Sequence, residues 1–295
     1  MPTLKYIKTR IQGIESTKKI TQAMKIVSAS SLKGAQSNIK SSGDYLRVLA
    51  RLLVYFNNQN AEPLQQLIRS FKNNNESNIL FIVVGTDKGL CGSFNTKITN
   101  YMDVKLQRNK NAKILCIGDK LSRYMQAYYN NSIIKCLPFF RINSNKISYN
   151  ELVILMQELL PIFFNGNFSE CRMVYTKYHT IVNQTVEEIV LLPLYVDEIK
   201  RMNPSDTYKK NIFEFDDNIE TFFKDLTESY IKAIFWHTYT HSLTCEHSSR
   251  MLAMDGATKS SDKMLKELNL LYNRSRQSII TKELIEIISG AEATH

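Results

Sequence analysis

Little in this sequence breaks a helix. Six prolines and ten glycines serve 295 residues. From Asp217 to Gly290 there is no proline and a single internal glycine, Gly256. Proline is the residue that most reliably ends a helix interior, so this stretch reads as one helix. At ~1.5 Å per residue such a rod is roughly 110 Å long, several times the ~30 Å width of a compact domain. Most of it therefore has to project beyond any single core. The chain also lacks the run of about 18 consecutive apolar residues that a membrane-spanning helix needs. Its five cysteines, Cys91, Cys116, Cys136, Cys171 and Cys245, are odd in number and contain no C-x-x-C. That excludes a disulfide framework and fits buried thiols in a reducing compartment. No charged segment with an apolar run behind it precedes the first helical pattern, so no secretory signal is expected.

What is present is a second long helix at the other end. Leu4, Ile7, Ile11 and Ile14 step by threes and fours. The series resumes at Ile20, Met24, Val27, Leu32, Ala35 and Ile39, and runs on through Leu46, Leu49 and Leu53. Spacing of this kind, held this long, is the seam of a coiled coil. The C-terminal rod answers with Ile219, Phe222, Phe223, Leu226, Tyr230, Ala233 and Ile234, then Met251, Met254, Leu265, Leu268, Tyr272, Ile279, Leu284 and Ile287. Charge is unevenly divided between the two. The chain carries +10 overall, and residues 1–60 hold ten Lys or Arg against only Glu15 and Asp44. The first helix is thus expected to face something acidic.

Between the helices the period changes. The apolar run Ile79 to Val84 ends at Gly85, as a buried parallel strand would. Residues 112–118 repeat the form, each run being followed by a helical pattern. Residues 133–140 read as a third strand and 149–164 as a helix. Cys171 to His179 and Val186 to Leu194 alternate well enough to be strands, and Arg201 to Lys210 reads as the return linker. Strands interleaved with helices imply an α/β sheet with crossovers. The fold expected is α/β: a long antiparallel coiled coil of N- and C-terminal helices with an inserted Rossmann-like domain. The expected division is 1–60 for the first helix, 76–210 for the α/β part and 211–295 for the second helix.

Three local features invite a chemical reading. The glycine-rich turn Gly85 to Asn95 follows a strand, where α/β proteins often hold phosphates. Neither G-x-x-x-x-G-K-[ST] nor G-x-G-x-x-G is present, and a tight turn that lets helix and strand pack closely is the favoured reading. His237, His241 and Cys245 share one helical face, but H-T-Y-T-H lacks the glutamate of a hydrolytic zinc helix, and no distant cluster completes four ligands. No metal or cofactor is expected; packed or solvated seam residues are. His179 reads as a structural histidine in a strand. Lastly, Trp236 to Ser249 is rich in Thr, Ser and His where a self-sufficient seam would carry aliphatics. It is expected either to be solvated or to meet a surface that must not grip hard, with Lys18, Lys19 and Lys25 opposite. No catalytic constellation can be assembled from spacing, so the chain is not expected to be an enzyme.

Three blocks resemble a known family, the γ subunits that form the central stalk of F-type ATP synthases. They are Ser16 to Ser30 around K-I-T-Q-A-M, Thr86 to Asn95, and Ile280 to Ala291, which reads I-T-K-E-L-I-E-I-I-S-G-A. Ser93 departs from the second block, where the family carries glycine. Glu246 to Met251 and Leu271 to Gln277 are family-like too. The resemblance implies a shaft inside a ring of α and β subunits, an ε subunit beside it and a membrane c-ring beneath. Proton flow would turn it, with ATP chemistry on the β subunits. It implies partner contacts at Lys19, Met24 and Lys25 toward an acidic loop of β, and at Arg250, Gln277, Thr281 and Glu283 near the top of the shaft. It also implies a peripheral place without membrane insertion, on the cytoplasmic face of a bacterial inner membrane or the matrix side of a mitochondrial one. Two other classes compete. A basic coiled coil that binds nucleic acid would interleave aromatics with its charges, yet residues 1–44 contain only Tyr6. A nucleotide-dependent α/β enzyme would need the phosphate fingerprints that are missing.

Overall fold

The computed structural model describes residues 3–57, 78–109, 111–129, 168–195 and 219–292, with a few isolated positions between them. The strand expected at 133–140 and the linker at 201–210 lie outside the described residues, as does nearly all of the helix expected at 149–164. In chain order the elements are α1 (Leu4–Asn57), β1 (Ile79–Val84), α2 (Phe94–Arg108), β2 (Lys113–Ile117), α3 (Asp119–Tyr129), β3 (Glu170–Tyr178), β4 (Gln184–Leu192) and α4 (Ile219–Glu292). The proline-free stretch is one 74-residue helix. The fold is a mixed α/β one with long helices at both ends and a sheet between them.

The sheet has the order β2-β1-β3-β4. β1 pairs in parallel with β2 and β3, and β3 pairs antiparallel with β4. Side chains alternate across a strand, and both faces of β1 are covered. Leu80, Ile82 and Val84 join a core with Leu49 and Leu53 of α1 and Tyr230, Ile234 and Phe235 of α4. Phe81 and Val83 join a second core with Ile98 and Met102 of α2 and Leu121 and Met125 of α3. This double burial is why β1 and β2 are near-continuous apolar runs. His179 stands beyond the end of β3, exposed in the turn to β4 and bonded to Thr185 Oγ1 at 3.0 Å, rather than inside a strand.

The chain divides into two compact units, residues 31–249 and residues 1–30 with 250–295. In the latter, α1 and α4 run in opposite directions. Lys18 pairs with Asp262, Thr21 Oγ1 meets Thr258 Oγ1 at 2.9 Å, and Lys25 Nζ meets Asp255 Oδ1 at 2.6 Å.

The sheltered face of α1 keeps a stricter step than its aliphatics alone suggest. Ile7, Ile11, Ile14, Lys18, Thr21, Lys25, Ser28, Leu32, Ala35, Ile39, Ser42, Leu46, Leu49 and Leu53 alternate spacings of four and three, and each is buried or half-buried. Ile20 and Val27, expected in the seam, point outward and are 60 % and 65 % exposed. Following apolar residues alone broke the heptad between Ile14 and Leu32, where the sheltered positions are polar.

Candidate functional site

The residues singled out by resemblance fall on two separate lengths of helix. Lys19 is exposed on α1, Met24 is half-buried, and both flank an outward apolar strip of Ile20, Ile26 and Val27. Lys25 is committed within the chain, since Asp255 holds it. The same carboxylate takes Lys259 at 2.7 Å. Hydrogen bonds from Lys25 and then Lys259 bring the Asp255 carboxyl down to about 2. On α4, Arg250 is buried, whereas Gln277, Thr281 and Glu283 are exposed. At ~1.5 Å per residue, roughly 50 Å of helix separates Arg250 from Glu283, so these are not one site. Around the last three stand Ile279, Ile280, Leu284, Ile285, Ile287 and Ile288, all 42–67 % exposed. So Ile279, Leu284 and Ile287, expected in the seam, are not buried within this chain: α1 begins at Leu4 and offers them no facing residues. An exposed apolar surface of this extent marks an interaction surface.

Sequence reasoning missed Asp255 and Asp262. The signal was there, because the two acids are seven residues apart on α4 and their partners Lys18 and Lys25 are seven apart on α1.

The turn after β1 uses its polar groups on its own chain. Thr86 N–H donates to Asn95 Oδ1 at 3.3 Å, Asn95 Nδ2 donates to Thr86 Oγ1 at 2.7 Å, and Thr86 Oγ1 donates to Lys88 O at 2.8 Å. Asp87 Oδ1 accepts from Asp119 N–H at 3.0 Å and so caps α3. A Cβ on Gly85 would lie 2.4 Å from Leu121 Cβ. Close packing of helix on strand accounts for this glycine.

The polar stretch of α4 corrects an expectation. Thr238, Thr240, Ser242, Thr244 and Ser248 are all buried, and the stretch meets the sheet rather than solvent or the N-terminal lysines. The reason lies in strand length. β1 pairs with β3 only as far as Val174, so later amides of β3 on that side need other acceptors. Thr176 N–H donates to Ser242 Oγ at 2.9 Å, and Tyr178 N–H donates to His241 Nδ1 at 3.2 Å. Ser248 Oγ donates to Ile181 O at 2.8 Å in the following turn. Aliphatics could not fill these roles.

The two histidines also reach α1. His241 Nε2 and His237 Nε2 are 3.3 Å apart, and His237 Nδ1 is 2.9 Å from Ser42 Oγ. A backbone N–H can only donate, so His241 accepts at Nδ1 and carries its proton on Nε2. That proton goes to His237 Nε2, which places the His237 proton on Nδ1, aimed at Ser42. Both rings are therefore neutral and fully bonded. No group of three or more metal-ligating side chains occurs among the described residues. Cys245 Sγ lies 3.5 Å from Thr176 O, and burial pushes its thiol up to about 12, as it does for Cys171.

A family model described as ATP synthase matches residues 3–294. The ATP synthase gamma chain of Granulibacter bethesdensis is 32 % identical, over 99 % of this chain and 100 % of that one. The ATP synthase gamma chain of Clostridium perfringens is 34 % identical, over 97 % and 96 %. Among solved structures, a chain of the Euglena gracilis mitochondrial ATP synthase, OSCP/F1/c-ring assembly in rotational state 3, superposes with a TM-score of 0.65 at 16 % identity. That superposition covers 99 % of this chain and 94 % of the other. A chain of the Tetrahymena thermophila mitochondrial ATP synthase central stalk and c-ring gives 0.56 at 18 % identity, covering 81 % and 99 %. These two likenesses bear on the fold alone.

Proposed function

This chain belongs to the ATP synthase gamma-chain family, and from that premise we propose that it is the rotating central stalk of an F-type ATP synthase. It performs no catalysis of its own. ATP chemistry resides on the β subunits, and the stalk carries torque between them and ion transport. The observation that carries this reading is the family match along essentially the whole chain. The two terminal helices with their continuous four-three stepping agree with it as an antiparallel coiled coil, and the sheet with covering helices as a Rossmann-like insert. No helix among the described residues is long and apolar enough to cross a membrane, which suits a peripheral subunit.

The partners of this stalk are the α, β and ε subunits and the membrane c-ring. Lys19 and Met24 meet an acidic loop of β, with Lys25 beside them held by Asp255, while Gln277, Thr281 and Glu283 engage the surrounding subunits through the exposed end of α4. Arg250, buried, acts on coupling from within. Exposed cations facing acids attract at long range, are screened by salt, and release at each step. A population shifts only by the difference in affinity between states. A stalk whose faces differ, lysine and isoleucine on one helix and a bare isoleucine-rich end on the other, supplies such differences to three otherwise equal β sites.

The nucleic-acid reading loses its main support. The family match gives it nothing, and of the N-terminal cations Lys18 and Lys25 are matched within the chain by Asp262 and Asp255.

Affinity purification of the tagged chain from detergent-solubilised membranes tests the proposal. An ATP-hydrolysing complex with α and β each in threefold excess is expected. Recovery alone, or with nucleic acid, overturns it.

A further inference from the structure

The histidine pair sits where α1, α4 and β3 converge, all within the unit formed by residues 31–249. Hydrogen bonds run in one direction through it: Tyr178 N–H to His241, His241 to His237, His237 to Ser42, and Ser42 Oγ to Ile39 O at 3.1 Å. The packing is as close as the bonding. A Cβ on Gly43 would stand 3.2 Å from His237 Cε1, so α1 approaches the ring within contact of its backbone. The two rings meet edge to face with centroids 4.7 Å apart.

An added proton has no acceptor in this arrangement. On His241 it occupies Nδ1 and faces the Tyr178 N–H, donor against donor. On His237 it occupies Nε2 and faces the His241 Nε2–H. We propose that His237 and His241 form an acid-release latch, in which protonation of the pair undoes the link from β3 through α4 to α1.

The surrounding charges do not rescue the protonated state. The pair borders a cavity of about 550 Å³. From α1, Lys40, Asp44 and Arg47 face it; from β3, Tyr175 and Lys177; from β4, Glu187 and Glu188; from α4 itself, Tyr230. His179 acts on His241 from the turn. Each acid on the cavity wall already has a cation: Asp44 has Arg47 at 3.1 Å, Glu187 has Lys177 at 3.0 Å, and Glu188 Oε1 has Lys105 at 2.8 Å and Arg172 at 3.1 Å. That leaves Glu188 Oε2 buried without a hydrogen-bond partner among the described residues, but its charge is matched. Burial, and then Lys177, lowers the His237 pKa. Burial first and His237 next bring His241 to about 4. An opened histidine titrates near 6.5, so acid favours the open form. The latch is local to the sheet-bearing unit and does not depend on what the long helices bind.

Hydrogen exchange of the full-length chain, resolved at single amides and corrected for intrinsic rates, reads the latch directly. Protection of the Tyr178 amide should fall about eightfold between pH 7 and pH 5.5, from His241 titration alone. The Phe81 amide in β1 should keep its protection. In His241→Gln, where the amide oxygen still accepts from Tyr178, the fall should vanish, while His179→Gln should retain it. Equal protection of Tyr178 at both pH values in the natural chain overturns the latch. So does an equal fall at Phe81, a comparison that stands even if the His241 variant does not fold.

Discussion

At Gly85 a methyl group would have nowhere to go. Its Cβ would overlap Leu121, whose side chain is fully buried, and Gly118 beside it has φ +113 and backbone contacts under 3 Å at its own Cβ position. Gly85→Ala therefore forces helix and strand apart, and overpacking of this kind costs about 1–3 kcal/mol. Thermal unfolding should show a lowered Tm, with the partner-facing helix surfaces untouched. Met24 is the opposite kind of position, half-buried at the edge of an exposed strip. Met24→Lys adds a cation between Lys19 and Lys25 without opening a core. Assembly should survive and coupling should fall, since a change of about 1 kcal/mol in a step-dependent contact alters populations roughly fivefold. ATP-driven proton pumping by the assembled complex measures it, and an unchanged rate removes Met24 from the contact surface.

At the scale of elements, the long helices and the buried strands were legible because each carries its own periodicity. Asp217 to Gly290 could be read as a helix from the lack of breakers, and the observed α4 differs from that reading by two residues at each end. The polar half of the seam was not legible. Lys18, Thr21, Lys25 and Ser28 occupy core-facing positions because partners across the helix pair satisfy most of them, and a partner's identity is not a property of the element that needs it. The same applies to Ser242. It looked like a weak point in a coiled coil and is instead an acceptor for an amide that β1 is too short to reach. Ser242→Ala leaves the Thr176 N–H buried without that acceptor, a loss of about 1–3 kcal/mol. A drop in the urea midpoint at unchanged slope should report it. Thr176→Val, by contrast, removes a buried hydroxyl that has no hydrogen-bond partner among the described residues, and should leave the midpoint level or raise it.

At the scale of the whole molecule, a folded sheet unit stands beside long stretches of exposed helix, the surface proposed to meet other chains. The end of α4 is one such stretch, with every described side chain from Gln277 to Gly290 exposed. Deleting the residues after Ile279 should lower the Tm of the lone chain only slightly, because exposed residues add little to its core. The same deletion should weaken assembly or coupling in the complex, measured as subunit recovery and ATP-driven pumping. Loss of nucleotide binding by the α and β subunits themselves would show that this chain does more than transmit force.

The sequence by itself determined that two long helices flank an α/β sheet and which family the blocks resemble. These are local facts: periodicity, absence of breakers, and runs of residues readable in place. Only the tertiary structure decided that Ile20 and Val27 face outward, that Asp255 and Asp262 answer the lysines of α1, and that a stretch of threonines, serines and histidines is core. Burial of a polar group is settled by whether a partner stands within hydrogen-bond reach, and that partner is supplied by residues distant along the chain.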